Sequence, residues 1–208
     1  MSKLILVRHA ESLWNKENRF TGDIDVGLSL HGIEQALEEA KKIPSFTKVY
    51  TSTLFRCKMT AAILLAKMKK TFAFGGQKRE GLDFDLIEDA RLNERDYGDL
   101  KGENKQEVLA KYGEAQFVQW RRGYASRPPG GESLADVVVR VNNFLKTALL
   151  ADLEGGEDVL IVAHGNSLRA LVKILEGLSD EEVVHLEIPV MGMRIYEMKN
   201  GAFGRLDG

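Results

Sequence analysis

The chain has 208 residues, 44% of them apolar, and a formal net charge of -2 from 29 basic and 31 acidic side chains. That length suits a single α/β domain over 1–208 with one substantial core, and the interspersed charges provide no bulk field for nucleic acid or a membrane surface. With a single cysteine, Cys57, no intramolecular disulfide can form, and the four histidines show no close metal-ligand spacing. No stretch approaches the ~20 apolar residues of a membrane span, and the first apolar run is too short for a secretory signal. A cytoplasmic protein is expected.

Leu4-Ile5-Leu6-Val7 reads as a strand buried on both faces and runs into Arg8-His9-Ala10-Glu11. Ser29 then caps a helix whose apolar face holds Leu30, Ile33, Leu37 and Ala40. Residues 48–52 form a second short strand leading into a helix over 54–68. That helix carries Arg56 in its first turn and packs Cys57, Ala61, Leu64, Leu65 and Met68 on one face. Residues 71–81 keep no period and are expected as an exposed connection or hairpin. Gly75-Gly76 lacks the Gly-Lys-Ser/Thr and following helix of a phosphate loop.

Residues 84–92 resume a strand pattern and end in Asn93-Glu94-Arg95-Asp96-Tyr97-Gly98. Helices are expected over 104–112 and 114–123, broken at Gly113. After Pro128-Pro129-Gly130-Gly131, Ser133 starts a helix with the apolar stripe Leu134, Val137, Val138, Val141, Leu145 and Ala148. Val159-Leu160-Ile161-Val162-Ala163 is the second buried run and meets His164-Gly165-Asn166. The helix beyond it carries Leu168, Leu171, Val172 and Leu175 and stops at Gly177, and Asn200-Gly201 marks a closing hairpin.

Alternating strands and helices imply a mainly parallel central sheet with helices on both faces and antiparallel pairing near the carboxyl end. Ligands in such sheets bind beyond the carboxyl ends of the strands. If the two buried runs are neighbours, His9 and His164 share one pocket. A histidine accepts a phosphoryl group through an unprotonated ring nitrogen, a form accessible near neutral pH, so His9 is the expected nucleophile. Arg8 offers a planar donor fork for the group in transfer, and Arg56 points to the same rim. Gly165 permits close backbone approach, Asn166 can cap the helix that follows, and that helix start favours an anion.

These residues lie in longer segments that resemble the histidine phosphatase superfamily and, within it, the cofactor-dependent phosphoglycerate mutases. The segments are Leu6 to Ser12 with Trp14 to Gly22, Arg91 to Arg95 with Tyr97-Gly98, Gly102 with Asn104-Lys105, Trp120-Arg121-Arg122, Gly131 to Leu134, and Ala163 to Lys173 with Leu175 to Asp180. The resemblance implies a phosphoglycerate mutase-like three-layer sandwich. It also implies that His9 carries the phosphoryl group, that Arg8, Arg56 and His164 hold it, and that Glu94 is the general acid and base. Ser12, Asn15, Thr21 and Gly22 would line the pocket with Gly165 and Asn166. Tyr97, Lys105, Arg121 and Arg122 would receive the rest of a trianionic substrate.

The activity so implied interconverts 3-phosphoglycerate and 2-phosphoglycerate, with 2,3-bisphosphoglycerate as phosphoryl primer and no metal. The implied partners are these small phosphoglycerates, and the sequence leaves homodimer and homotetramer open. Ala10 stands where the family usually has glycine, and Asp23 where tryptophan is common. The connection from Arg56 to Glu94 is longer than usual, while the one from Arg122 to Ser133 and the carboxyl tail are short. Such a site is more open to water, so hydrolysis of the phosphoenzyme is expected. The competing readings are a phosphomonoesterase of the same superfamily and a non-catalytic phosphate-recognition protein. Intact His9, His164, Arg8, Arg56 and Glu94 argue against the second.

Overall fold

A computed structural model describes residues 1–74 and 83–206. In chain order these form β1 (Ser2–Arg8), a single turn α1 (Leu13–Lys16), α2 (Leu30–Glu39), β2 (Lys48–Thr51), α3 (Phe55–Lys67), β3 (Phe72–Phe74) and β4 (Phe84–Glu88). The helices α4 (Lys105–Tyr112), α5 (Glu114–Arg122), α6 (Leu134–Phe144) and α7 (Leu150–Glu154) come next. The chain then continues through β5 (Val159–Ala163), α8 (Gly165–Glu176), α9 (Asp180–His185), β6 (Met193–Lys199) and β7 (Ala202–Arg205).

The strands make one seven-stranded sheet in the order β3-β4-β2-β5-β1-β6-β7, parallel from β3 through β1 and antiparallel at β6 and β7. The two apolar runs are its centre. Successive strand residues face opposite ways, so Leu4, Leu6, Ile161 and Ala163 pack under α6 and α8, while Ile5, Val7, Leu160 and Val162 pack with residues of α2 and α3. The expected three-layer α/β arrangement is thus present. At the carboxyl end Asn200 and Gly201 both adopt positive φ, as a two-residue hairpin between twisted strands demands.

Three expectations need correction. Ser29 does cap α2 through the Gly32 N–H, but Leu30 is 82% exposed and Leu37 41% exposed. The buried line is Gly32, Ala36 and Ala40, because α2 lies so close to the loop after β1 that a Cβ on Gly32 would stand 2.1 Å from the Glu11 carbonyl oxygen. Close approach selected small residues, and the leucines fell outside. Second, Phe72–Phe74 is a strand parallel to β4 rather than part of a hairpin, while Gly75 and Gly76 lie outside the described residues. Third, the stripe begun at Leu134 passes through a π-helical turn, Leu145–Leu149, into α7. Leu145 is buried as expected, and beyond it the buried face continues through Leu149 and Leu153, with Ala148 only partly buried.

A smaller apolar cluster of Phe20, Leu100, Val108 and Phe117, with Tyr97 and Trp120 against it, fastens α4 and α5 to the loop after α1. These two helices carry the cations expected to meet substrate. The Pro128 to Gly131 turn packs on Gly98, whose φ is +53° and whose absent Cβ would lie 2.0 Å from the Pro129 carbonyl oxygen. Gly98→Ala is therefore expected to lower stability by about 3 kcal/mol, from strain and overpacking together. Gly177→Ala, in the left-handed helical region at φ +65° and ψ +30° with nothing within 4 Å, should cost only about 1 kcal/mol. Denaturant unfolding of the two variants checks the difference.

Candidate active site

Pairing of β1 with β5 sets Arg8 opposite Ala163, and the His9 N–H continues the ladder to the Ala163 carbonyl at 2.9 Å. The next residue on each strand is a histidine. Their ring centroids lie 5.0 Å apart, edge to face, at the carboxyl ends of the parallel strands. His9 Nδ1 is 2.7 Å from the Ala10 carbonyl oxygen. A carbonyl only accepts, so Nδ1 bears the proton and Nε2 keeps its lone pair. Burial, with Arg56 and Arg8 nearby, pushes the His9 pKa well below the ordinary histidine range. A neutral ring with a free Nε2 is the nucleophilic form.

His164 is wholly buried. Its Nδ1 accepts from Arg56 Nε at 3.2 Å, since a guanidinium can only donate, and its Nε2 donates to Ser52 Oγ at 2.8 Å. Burial, then Arg56 and His9, lowers its pKa well below the usual value. His164 therefore orients Arg56 in this state, and contacting a phosphoryl group directly would require Arg56 to release Nδ1. Cys57 Sγ lies 3.2 Å from His164 Nε2, so the expected packing role of this cysteine extends to the wall behind His164. Its thiol is pushed up to about 12 by burial and stays protonated.

Arg56 Nη1 and Nη2 donate to the Ile24 and Gly22 carbonyls at 2.9 and 2.7 Å. Arg8 Nη1 donates to the Ile188 carbonyl at 2.7 Å, and its buried Nε has no partner. Backbone carbonyls orient both cations without cancelling their charge. Among the described residues Arg8, Arg56, Lys105 and Arg121 stand in no ion pair, whereas Arg122 pairs with Glu187.

Two adjoining cavities share Arg8, Glu94, Tyr97 and Lys105. The inner one, ≈ 60 Å³, adds His9, Asn15, Thr21, Gly22 and Arg56. The outer one, ≈ 190 Å³, adds Arg121, Arg122, Gly165, Asn166 and Arg169, with Glu187 at its wall. Glu94 Oε1 accepts from the Arg95 and Asn166 N–H groups at 2.8 and 3.2 Å. That fixes the carboxylate between the two cavities and at the start of α8. Lys105 is lowered to about 8, by burial first and then by Arg121 and Arg8.

Some placements depart from expectation. Ser12 lines neither cavity, because its hydroxyl caps α1 and bonds the Asn15 side chain at 2.9 Å. It presents Asn15, whose Oδ1 faces Ser12. Asn166 is not the cap of α8. His164 occupies that position, and Asn166 bridges Tyr97 Oη at 3.1 Å to Arg169 Nη1 at 2.9 Å. A Cβ on Gly165 would make ordinary contact, 3.5 Å from Arg8 Cζ, and would narrow the cavity wall. Asp23 is ion-paired: Lys101 bridges it and Asp96, each at 2.9 Å, so the three side chains together keep one net negative charge.

Sequence reasoning missed a supporting layer of arginines. Arg95, fully buried, donates to the Trp120 and Arg121 carbonyls at the end of α5, and Arg140 donates to the Arg91 and Glu94 carbonyls. Arg169 holds Asn166 and the Val183 carbonyl, and its buried Nε is unpartnered. Arg95 and Arg169 lie inside segments that carry the family resemblance, and Arg169 also stands three residues from Asn166 on a helix, whereas Arg140 has neither signal.

The fold and these rings define a histidine-centred, cation-lined pocket on a three-layer α/β scaffold. The chain matches the Histidine phosphatase superfamily (branch 1) over residues 4–206. It is 44% identical over 199 residues to a protein of Parvibaculum lavamentivorans named 2,3-bisphosphoglycerate-dependent phosphoglycerate mutase, covering 94% of this chain and 90% of that one. A Chlamydia pneumoniae protein of the same name is 37% identical, covering 96% and 95%. Among solved structures, a mycobacterial glucosyl-3-phosphoglycerate phosphatase superposes with TM-score 0.77 at 25% identity, covering 94% and 89%. The alpha-ribazole phosphatase of Shigella flexneri shares the fold at TM-score 0.79 and 23% identity, covering 98% and 94%. The chain belongs to the histidine phosphatase superfamily and, within it, to the family of the 2,3-bisphosphoglycerate-dependent phosphoglycerate mutases.

The two buried neutral rings set an acid limit on stability. Above about pH 6.5 neither histidine takes a proton in either the folded or the unfolded chain. Below it the unfolded chain binds protons that the buried rings refuse, so stability falls by roughly 1.4 kcal/mol per pH unit for each ring. Denaturant unfolding between pH 7 and 5 should show a shallower loss in His9→Asn than in the parent.

Proposed function

We propose that this chain interconverts 3-phosphoglycerate and 2-phosphoglycerate through a phosphohistidine on His9 Nε2, primed by 2,3-bisphosphoglycerate. The carrying observation is the outer cavity, where Arg8, Lys105, Arg121, Arg122 and Arg169 face only Glu94 and Glu187. A phosphatase needs cations for one phosphoryl group. A mutase must also hold a second anionic end and present it again in another orientation. Phosphoglycerate carries roughly three negative charges near neutral pH, which matches the surplus. Relatives named as mutases, similar over nearly the whole chain, support the same reading.

The chain is read as one catalytic unit that needs no metal. In the cycle, His9 Nε2 attacks a phosphoryl group of the primer as its ester O–P bond breaks, Glu94 gives its proton to the departing phosphoglycerate oxygen, and Arg8 and Arg56 take up the phosphoryl oxygens. The arriving dianion draws Arg56 off His164 Nδ1 and favours a proton there, so that His164 then donates to the same group. Glu94 removes the proton from the accepting hydroxyl as the phosphoryl leaves His9. The bisphosphorylated intermediate turns over within the outer cavity, held by Lys105, Arg121, Arg122 and Tyr97. Its other phosphoryl then returns to Nε2, and Glu94 gives the proton back to the product oxygen.

Purified protein supplied with 3-phosphoglycerate, with and without 2,3-bisphosphoglycerate, should yield 2-phosphoglycerate with a smaller release of phosphate, and His9→Ala should abolish both. Arg121→Ala should lose isomerisation at least about tenfold while phosphate release persists, because Arg121 lines the outer cavity and not the inner one that holds His9. Phosphate release with no 2-phosphoglycerate in either mixture would make the chain a phosphomonoesterase. Lys105 also predicts an alkaline limb. It is cationic below about 8 in the free protein and neutral above, so kcat/KM should fall above that pH, and Lys105→Arg should move the limb upward.

A further inference from the structure

We propose that Thr60 is a positioning residue for phosphoryl transfer, fixing the reactive tautomer of His9 and tying the nucleophile to Arg56. The inference rests on His9 being the nucleophile. Thr60 lies one helical turn after Arg56 on α3 and is fully buried, as is Ala10. Its Oγ1 donates to the Arg56 carbonyl at 2.7 Å and accepts from the Ala10 N–H at 3.1 Å. A threonine inside a helix commonly bonds back to the carbonyl four residues earlier. Here that bond fixes the hydroxyl proton and turns a lone pair toward a different segment, the loop that follows β1.

That loop carries the group deciding which nitrogen of His9 is reactive. The Ala10 carbonyl accepts the Nδ1 proton at 2.7 Å, and this contact leaves Nε2 bare. Ala10 N–H and Ala10 C=O flank one Cα, so holding the first restrains the second. The peptide after Ala10 is held more loosely, with Glu11 N–H at 3.3 Å from Gln35 Oε1. Without the Thr60 hydroxyl, the Ala10 N–H is a buried donor with no acceptor, which favours rotation of the loop to find one. Rotation moves the carbonyl off Nδ1. A His9 with its proton on Nε2 has its lone pair on Nδ1, the nitrogen on the Ala10 side, and none on the nitrogen assigned as phosphoryl carrier.

The same hydroxyl joins this loop to the first turn of α3, the turn that carries Arg56. Attack needs the Nε2 lone pair and the Arg56 donors aimed at one phosphorus, and errors near 1 Å reduce rate steeply. The subsites built from Lys105, Arg121 and Arg122 lie on α4 and α5, away from this linkage.

The test compares Thr60→Val, which keeps the shape and removes the hydroxyl, with Thr60→Ser, which keeps the hydroxyl. We expect Thr60→Val to lower kcat at least about tenfold with KM for 3-phosphoglycerate within about threefold, and Thr60→Ser to retain most of the activity. Nitrogen-15 NMR of the histidine rings should show the His9 proton on Nδ1 in the parent and in Thr60→Ser, and a mixed population in Thr60→Val. If Thr60→Val does not fold, Thr60→Ala takes its place under the same criteria. A folded hydroxyl-less variant with parental kcat and an unchanged tautomer overturns the proposal. So does equal loss in the serine variant. The tautomer is read without substrate, so an absence of mutase activity in the parent would count against the proposed reaction and leave this result standing.

Discussion

The parallel pairing of β1 with β5, in the register that sets Arg8 opposite Ala163, is the constraint on which the site depends. Both strands are buried on both faces, so a shift of one residue would turn every side chain of a run to the opposite layer. The strands end together, and the next residue of each is a histidine. His9 and His164 are brought within 5.0 Å by two cores that fill independently, one beneath α6 and α8 and one beneath α2 and α3. The rigidity of the centre of the sheet is what makes a small reactive cluster at its edge possible.

Around those rings the electrostatics are set by what is absent from the cations' neighbourhood. Arg8 and Arg56 are buried or nearly so and lean on backbone carbonyls from 22–24 and 188. Carbonyls fix direction and leave the net charge available. The cost of holding such cations in a poorly solvated place is visible in the burial-lowered pKa of both, and it is recovered when an anion enters. Burial first, and then the same cations, keep His9 and His164 neutral. A site short of negative charge therefore holds a neutral histidine and uncompensated cations in one arrangement, as the proposed phosphoryl transfer requires. Glu94, fixed by two backbone N–H groups, places a carboxylate between the two cavities, where the proposed reaction needs proton exchange with a hydroxyl.

Much of this was legible in the sequence because it was written in short periods. Two unbroken apolar runs gave the sheet centre, and alternation of strands with capped helices gave the layers. The residues resembling a known family placed the site's principal side chains, and all but Ser12 and His164 of those named line a cavity. What stayed illegible depended on contacts between distant segments. Leu30 and Leu37 follow helical spacing, yet the face that α2 buries is chosen by how closely Gly32 approaches Glu11. Phe72 to Phe74 is too short to show a period and becomes a strand only beside β4. The partners of Cys57 and Arg95, and the Ala10 N–H that donates to Thr60, lie tens of residues away, and a pattern of spacing within one element carries no trace of them.

The central claim is that a neutral His9 carries the phosphoryl group on Nε2. Brief incubation of the protein with 2,3-bisphosphoglycerate, followed by mass-spectrometric mapping and phosphorus NMR of the phosphoenzyme at alkaline pH, tests it most directly. The account predicts one phosphoryl group, on His9, bonded to Nε2 and discharged on addition of 3-phosphoglycerate. A phosphoryl group on His164 or on Nδ1 of His9, or no phosphoenzyme while 2-phosphoglycerate still forms, would contradict it.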